Sequence, residues 1–334
     1  MRAVLVKQPG DASQLYLGET ATPTPGDSQI LVKVKCFCLN RMDIVQRQGN
    51  YPPPPGASHI LGVEVSGIVE AVGKNVKCFK PGDAVFGLMG GGGYAEYAVM
   101  EEALAIPKPE SLSFEQAAAI PETWFTAYQA LFFVTGLKAG EDVLIHAGAS
   151  GVGIAAIQLA KNAGAKRIFV TAGSDEKTAF CEKLGATRAI NYKTENWAEV
   201  IAQETSKRGV DVIIDFIGKN YWHDNIETLA LDGRMVLLAF LSGPVVENVN
   251  LSAFLRKRLR VEGSALRSRS LEYQRRLRDA VYEHVIQGHF SKPDGGDYKL
   301  FIDKVFDWED IVDAHKLMES NQTMGKIVVK VNPQ

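Results

Sequence analysis

The 334-residue chain carries a net charge of −2, with 46% hydrophobic and 23% charged residues. This balance is typical of an ordinary globular protein and excludes a disordered chain or one that coats nucleic acid. The length exceeds the ~250–300 residues at which a single core usually splits, so two domains are predicted. No run approaches the ~18 apolar residues of a membrane helix. We therefore expect a cytoplasmic protein with no membrane partner.

The cysteines predict no disulfide and no metal site. Cys36, Cys38, Cys78 and Cys181 form no CxxC pair. The alternating run 30–38 gives Cys36 and Cys38 the same inward parity. We predict that all four are buried free thiols in a reducing compartment.

The first 120 or so residues predict a compact β-rich domain. Short strand-like runs are separated there by Gly, Pro and Asp turn signals. The predicted strands are 3–6, 30–38, 63–71, 84–88 and 94–99.

From about residue 124 the pattern changes to strands that alternate with helices. The predicted strands are 142–146, 167–171, 210–216 and 234–240, and the predicted helices are 154–162, 176–184 and 222–230. This alternation predicts a doubly wound parallel sheet. After about residue 268 the pattern is mixed again and closes with a predicted strand at 326–331.

A glycine-rich turn lies between the first of these strands and its helix. Glycines let the backbone approach a pyrophosphate, whose charge is favoured at a helix N-terminus. The spacing, Gly148-x-x-Gly151-x-Gly153, departs from GxGxxG and by itself also fits a structural turn. In this setting we favour dinucleotide binding. The predicted phosphate contacts are Gly148, Ser150, Gly151, Val152 and Gly153.

The end of the second strand of the alternating region favours NADPH over NADH. NAD sites usually place an acidic residue there to bind the ribose hydroxyls, whereas residues 171–174 are Thr-Ala-Gly-Ser. Ser174, Lys177 and Tyr192 are predicted to form a pocket for the 2′-phosphate. Asp175 counts against this interpretation, and Lys177 also fits a solvated helix lysine.

Several stretches together resemble one enzyme family nearly from end to end. They are residues 39–43, 46–52, 61–64, 117–121, 146–153, 221–222, 231–234 and 324–328. On these the chain resembles the zinc-free quinone oxidoreductase branch of the medium-chain dehydrogenase/reductases. The resemblance implies an α/β protein in which a Rossmann domain, 124–267, is inserted in a GroES-like β-rich catalytic domain, 1–123 and 268–334. It further implies a site in the inter-domain cleft and a homodimer joined through the Rossmann sheets.

The resemblance also bears on zinc. Zinc-dependent members of the superfamily bind the catalytic metal through positions that correspond here to Asn40, Val63 and Glu122. Valine cannot ligate, an amide is a poor zinc ligand, and one carboxylate falls short of three protein ligands. We therefore predict no metal.

By the resemblance, Asn40 and Tyr51 border the acceptor site and Thr126 lies beside the nicotinamide. A loop amide, a partly buried loop aromatic and a helix hydroxyl remain the alternatives for these three residues. No residue is assigned as a general acid, since solvent could protonate the product. The remaining predicted cofactor contacts are Gly218, Phe240, Leu266 and Lys326.

The predicted function is NADPH-dependent reduction of quinones by hydride transfer without a metal. One alternative is a reductase of 2-alkenals or other enones, including an enoyl reductase. Another is a nucleotide-binding protein that binds RNA through the basic stretch between Arg256 and Arg278, although a solvated helical face explains that stretch better. His146 is interpreted as a satisfied strand-end histidine.

Overall fold

A computed structural model describes residues 1–292 and 296–332 of the protein. It divides into two compact units, one formed by Met1–Phe125 with Arg267–Gln334 and the other by Thr126–Leu266. Within the described residues, no helix combines the length and the apolar character needed to cross a membrane.

The N-terminal part of the first unit is mostly β-structure. Its strands are β1 (Arg2–Val6), β2 (Leu15–Glu19), β3 (Gln29–Cys38), β4 (Glu64–Val72), β5 (Ala84–Leu88), β6 (Tyr97–Glu101) and β7 (Ala105–Pro107). Its helices are α1 (Arg41–Arg47), α2 (Phe114–Ala118) and α3 (Pro121–Tyr128), and α3 runs on into the second unit.

The second unit alternates strand and helix. Its strands are β8 (Asp142–Ile145), β9 (Arg167–Ala172), β10 (Arg188–Asn191), β11 (Val210–Asp215), β12 (Leu229–Leu237) and β13 (Arg260–Gly263). Its helices are α4 (Gly151–Asn162), α5 (Asp175–Leu184), α6 (Trp197–Glu204), α7 (Trp222–Thr228) and α8 (Ser252–Lys257).

The chain then returns to the first unit and completes its main sheet. This segment contributes α9 (Leu271–Val281), β14 (Ile302–Asp307), α10 (Ile311–Glu319) and β15 (Lys326–Lys330). The sheet has the order β14-β15-β3-β4-β5-β7, and β6 also pairs with β3. The N-terminal half of β3 pairs with β6, from Gln29 to Lys33, and its C-terminal end pairs with β15, from Cys36 to Cys38. The strand β3 therefore pairs with both the N-terminal and the C-terminal segment of the first unit.

The six strands of the second unit form a sheet of order β10-β9-β8-β11-β12-β13 in which every pair is parallel. This is the doubly wound order predicted from the alternation. Its core packs around buried apolar side chains such as Leu144, Phe169, Ile190 and Ile213.

Two sequence predictions need correction. The strand predicted at 234–240 begins at Leu229 and ends at Leu237. It begins early because α7 ends at Thr228 and the strand continues through a bulge at Asp232, whose φ is +62°. Cys78 is exposed, whereas Cys36, Cys38 and Cys181 are buried. Cys78 lies in the loop between β4 and β5, where its backbone N–H donates to Glu102. The prediction of a buried thiol is therefore wrong for Cys78, because a loop position leaves its side chain exposed.

Candidate active site

The carboxyl end of the parallel sheet gathers most of the predicted cofactor residues. β8 lies between β9 and β11, so the chain reverses direction across the sheet at this point. Ligands of such sheets bind outside the strand ends at the reversal. The loops that follow β8, β9, β10, β11 and β12 carry Gly148, Ser174, Tyr192, Gly218 and Phe240, respectively.

The loop between β8 and α4 is tightly constrained. A Cβ on Gly148 would lie 1.9 Å from Val170 Cγ1, and one on Gly153 would lie 2.5 Å from the Ala147 carbonyl oxygen. The Ser150 hydroxyl accepts from the Gly153 N–H at 3.1 Å and caps α4. Because α4 begins at Gly151, the N–H groups of Gly151 and Val152 have no acceptor within the helix and are free to bind an anion.

The corner after β9 holds the predicted 2′-phosphate residues together. Ser174 caps α5 by accepting from the Lys177 N–H at 3.3 Å. A Cβ on Gly173 would lie 2.8 Å from the Tyr192 hydroxyl oxygen, so that ring covers the turn. Asp175 Oδ1 accepts from Asn191 Nδ2 at 2.7 Å. The carboxylate that counted against NADPH is thus hydrogen-bonded to the end of β10.

The other predicted residues of the second unit differ in exposure. Gly218 has a φ of +80°, and a Cβ there would lie 2.9 Å from the Gly243 carbonyl oxygen. Phe240 is exposed and Leu266 is buried. Thr126 is half-buried on α3.

His146 is confirmed as a satisfied structural histidine. It is fully buried, with Nδ1 2.9 Å from Thr171 Oγ1 and Nε2 2.8 Å from Asn225 Oδ1. Burial lowers the pKa of His146 to about 4. The neutral ring packs edge-on against Trp197.

In the first unit, Asn40 belongs to a buried polar cluster. Its Nδ2 donates to Glu64 Oε1 at 2.8 Å, and its Oδ1 accepts from Lys326 Nζ at 2.7 Å. Lys326 Nζ also donates to Glu64 Oε1 at 2.7 Å and to the Leu39 carbonyl at 2.9 Å. An ammonium has three protons, so all of those on Lys326 are committed here. The cofactor contact predicted for Lys326 stays a prediction.

Two further carboxyl groups lie close to this cluster. Asp43 is buried and accepts from the backbone N–H groups of Asn40, at 2.8 Å, and Gly62, at 3.1 Å. Burial raises the pKa of Asp43 to about 6. Burial, and then the Glu64 charge, raise the pKa of Glu122 to about 8. The Glu122 N–H donates to Glu64 Oε2 at 2.7 Å.

Tyr51 is held against Arg267. The guanidinium carbon lies 5.6 Å from the centre of the Tyr51 ring, within cation–π range. Arg267 donates from Nε to the Gly90 carbonyl at 2.8 Å and from Nη1 to Gln46 Oε1 at 2.7 Å. Arg267 thereby ties the Tyr51 ring to α1 and to the glycine run at 90–93.

The basic stretch consists largely of side chains with protein partners. Arg258 pairs with Asp232, Arg260 with Glu262, and Arg275 and Arg278 with Asp279. Lys257 donates to carbonyl oxygens at the end of α7 and the start of β12. Much of the charge that suggested an RNA surface is therefore neutralised locally.

Zinc-dependent relatives have metal ligands at the positions of Asn40, Val63 and Glu122. Here Asn40 is hydrogen-bonded within its polar cluster, Val63 is buried, and the Glu122 carboxyl has a raised pKa. In the part of the chain that the structure describes, no group of three or more His, Cys, Asp or Glu side chains is arranged to hold a metal ion.

Sequence reasoning missed the importance of Glu64, Asp43 and Arg267. Glu64 offered a signal, because a carboxylate within the apolar run 63–65 is rare in a core unless it is paired. Its partner Lys326 is 262 residues away in the chain, so the pair itself carried no local signature.

Two family models match the chain: the alcohol dehydrogenase GroES-like domain over residues 26–110 and the zinc-binding dehydrogenase domain over 151–281. The quinone oxidoreductase of Rattus norvegicus is 31% identical over 332 residues, which cover 98% of this chain and 97% of that protein. The chain belongs to the medium-chain dehydrogenase/reductase superfamily.

Solved structures agree with this assignment. The Escherichia coli quinone oxidoreductase complexed with NADPH is 29% identical, with a TM-score of 0.87 over 99% of this chain and 100% of that one. The CurK enoyl reductase is 27% identical, with a TM-score of 0.84 over 99% of both chains. Within the superfamily, the chain is a member of the quinone oxidoreductase family of oxidoreductases.

Proposed function

We propose that the protein reduces quinones with NADPH and without a metal. The observation that carries the proposal is the full-length similarity to proteins named quinone oxidoreductases. The local geometry supports it, because the strand ends of the second unit offer an anion site. The first unit carries a polar side chain, Asn40, and an aromatic one, Tyr51.

The residues after β8 and β9 fit a phosphorylated dinucleotide. Side chains on Gly148 or Gly153 would fill the turn, and the first N–H groups of α4 would bind the pyrophosphate. Ser174 and Lys177 would bind the 2′-phosphate, since Asp175 is turned to Asn191. NADPH, when bound, supplies the hydride.

The acceptor side is proposed to act through placement and hydrogen bonding. The Asn40 amide would donate to the acceptor oxygen that gains charge, and the Tyr51 ring would hold the acceptor by packing. Zinc is not proposed, for two reasons. Asn40 is hydrogen-bonded to both Lys326 and Glu64, and the Val63 side chain cannot bind a metal. Activity should therefore survive strong chelation. Stoichiometric zinc lost together with activity would contradict this.

An enoyl or 2-alkenal reductase is the second candidate, favoured by the likeness to the CurK enoyl reductase. The same hydride chemistry then acts on a carbon–carbon double bond. The test follows NADPH and NADH oxidation with 1,2-naphthoquinone and a 2-alkenal in parallel. We expect the quinone with NADPH to react fastest. Alkenals reduced at least about ten times more efficiently than every quinone would establish the second candidate, and no turnover with either class would refute both.

A further inference from the structure

Lys326 enters the Asn40 cluster from β15, beside the carboxyl end of β3. Lys326 and Glu64 are both almost fully excluded from solvent, with 5% and 0% exposure. Burial is the largest single influence on the pKa of Lys326 and lowers it, but the attraction and hydrogen bond of Glu64, together with smaller contributions from neighbouring groups, raise that pKa above its ordinary value. Lys326 is therefore an ammonium at neutral pH, paired with Glu64 Oε1 at 2.7 Å.

A buried ammonium and a buried carboxylate dictate how the Asn40 amide must face. An ammonium only donates hydrogen bonds and a carboxylate only accepts them. Asn40 Oδ1 must therefore face Lys326, and Nδ2 must face Glu64. A flipped amide would set its N–H groups against the ammonium and its oxygen against the carboxylate.

We infer that Lys326 is a positioning residue for the reduction, one that acts through Asn40 and not by contact with the cofactor. Among the described residues, Glu64 is the acceptor on Asn40 Nδ2, and an amide nitrogen has a second proton. Because Lys326 and Glu64 hold the amide in this orientation, its second N–H proton points away from Glu64. That proton can be donated to the oxygen of the quinone that gains charge. The inference rests on the proposed function, because it takes Asn40 as the residue that contacts the acceptor.

The test is a double-mutant cycle with Asn40→Ala, Lys326→Met and both together. Readouts are kcat/KM for 1,2-naphthoquinone, the NADPH dissociation constant from fluorescence titration, and the thermal unfolding midpoint. We expect Lys326→Met to lower kcat/KM by about 10- to 100-fold, the loss associated with one charge-assisted hydrogen bond, with unchanged NADPH affinity. In the Asn40→Ala background the same change should cost less than about threefold, because coupled residues are non-additive.

Lys326→Arg, which keeps an obligate donor, should lie closer to wild type than Lys326→Met. If the methionine variant lacks a cooperative unfolding transition, Lys326→Gln replaces it in the cycle, since a glutamine can hydrogen-bond in either orientation and does not dictate that of Asn40. Losses that multiply, or NADPH affinity that falls in step with kcat/KM, would overturn the inference. Wild-type turnover in Asn40→Ala would instead contradict the role proposed for Asn40. A wild-type protein that reduces neither acceptor class would contradict the proposed function.

Discussion

The phosphate loop allows a prediction whose size follows from one distance. In Gly148→Ala the new methyl would lie 1.9 Å from Val170 Cγ1 and 3.1 Å from Cys181 Sγ. Carbon atoms pack at about 3.5–4.0 Å, so the loop and β9 must separate by about 1.6 Å or more. Overpacking of this kind costs about 1–3 kcal/mol of unfolding free energy. The displaced N–H groups of α4 should also weaken NADPH binding by at least about tenfold, or ~1.4 kcal/mol.

The assay pairs denaturant unfolding with NADPH titration for Gly148→Ala, Val170→Ala and the double variant. Removing the γ-methyls of Val170 makes room for the new methyl, so the double variant should recover roughly 0.5–3 kcal/mol relative to the sum of the single changes. Gly263→Ala is the matched control, because a Cβ added there would meet no atom of the described residues within 4 Å, and it should change stability by less than about 0.5 kcal/mol. Wild-type stability and NADPH affinity in Gly148→Ala would refute the geometry.

Three further predictions test the site. Lys177→Ala should weaken NADPH binding by about 10- to 150-fold, because it removes one charge-assisted contact of about 1.5–3 kcal/mol, and it should leave NADH binding nearly unchanged. An equal loss of affinity for both cofactors would mean that Lys177 serves the fold. Tyr51→Ala should lower quinone turnover more than NADPH affinity, because misplacing reacting atoms by ~1 Å can cost about 100-fold in rate. Steady-state kinetics and NADPH titration measure the two losses, and a larger loss of NADPH affinity than of turnover would contradict the prediction. The pKa of Glu122 is about 8 in the fold against an ordinary value of 4.5, so this proton stabilises the fold fully below pH 4.5 and the stabilisation is lost as pH rises through 8. Urea midpoints across this range should fall less steeply with pH for Glu122→Gln, and identical slopes would show that the carboxyl is not buried as described.

The fold could be predicted largely from local patterns. The alternation after residue 124 indicated the parallel sheet because each buried strand and each amphipathic helix has its own periodicity. The short edge strands β7 and β13 span three and four residues, too few for such a pattern, and were missed. The β12 boundary was misplaced because the strand continues through a bulge at Asp232-Gly233, a pair that reads as a turn.

The candidate site likewise contains residues that local sequence patterns locate and residues that they do not. The loops after β8, β9 and β10 could be located because each follows a recognisable strand, and the structure brings Gly148, Ser174 and Tyr192 to one edge of the sheet. The partners of Asn40 were not predictable by such reasoning. Glu64 and Lys326 meet across most of the chain length, and only the sheet pairing of β15 with β3 brings them together.

That pairing also dictates an order of assembly on the ribosome. The second unit is one continuous segment, Thr126–Leu266, and can close its parallel sheet as soon as that segment has emerged. The first unit must wait, since β3 finds β15 only after nearly the whole chain has been synthesised. Until then the Glu64 carboxylate has no Lys326 beside it and must remain hydrated, because burying it alone would be costly. A nascent chain stalled before residue 326 should therefore contain a folded second unit attached to an unfinished, protease-sensitive first unit.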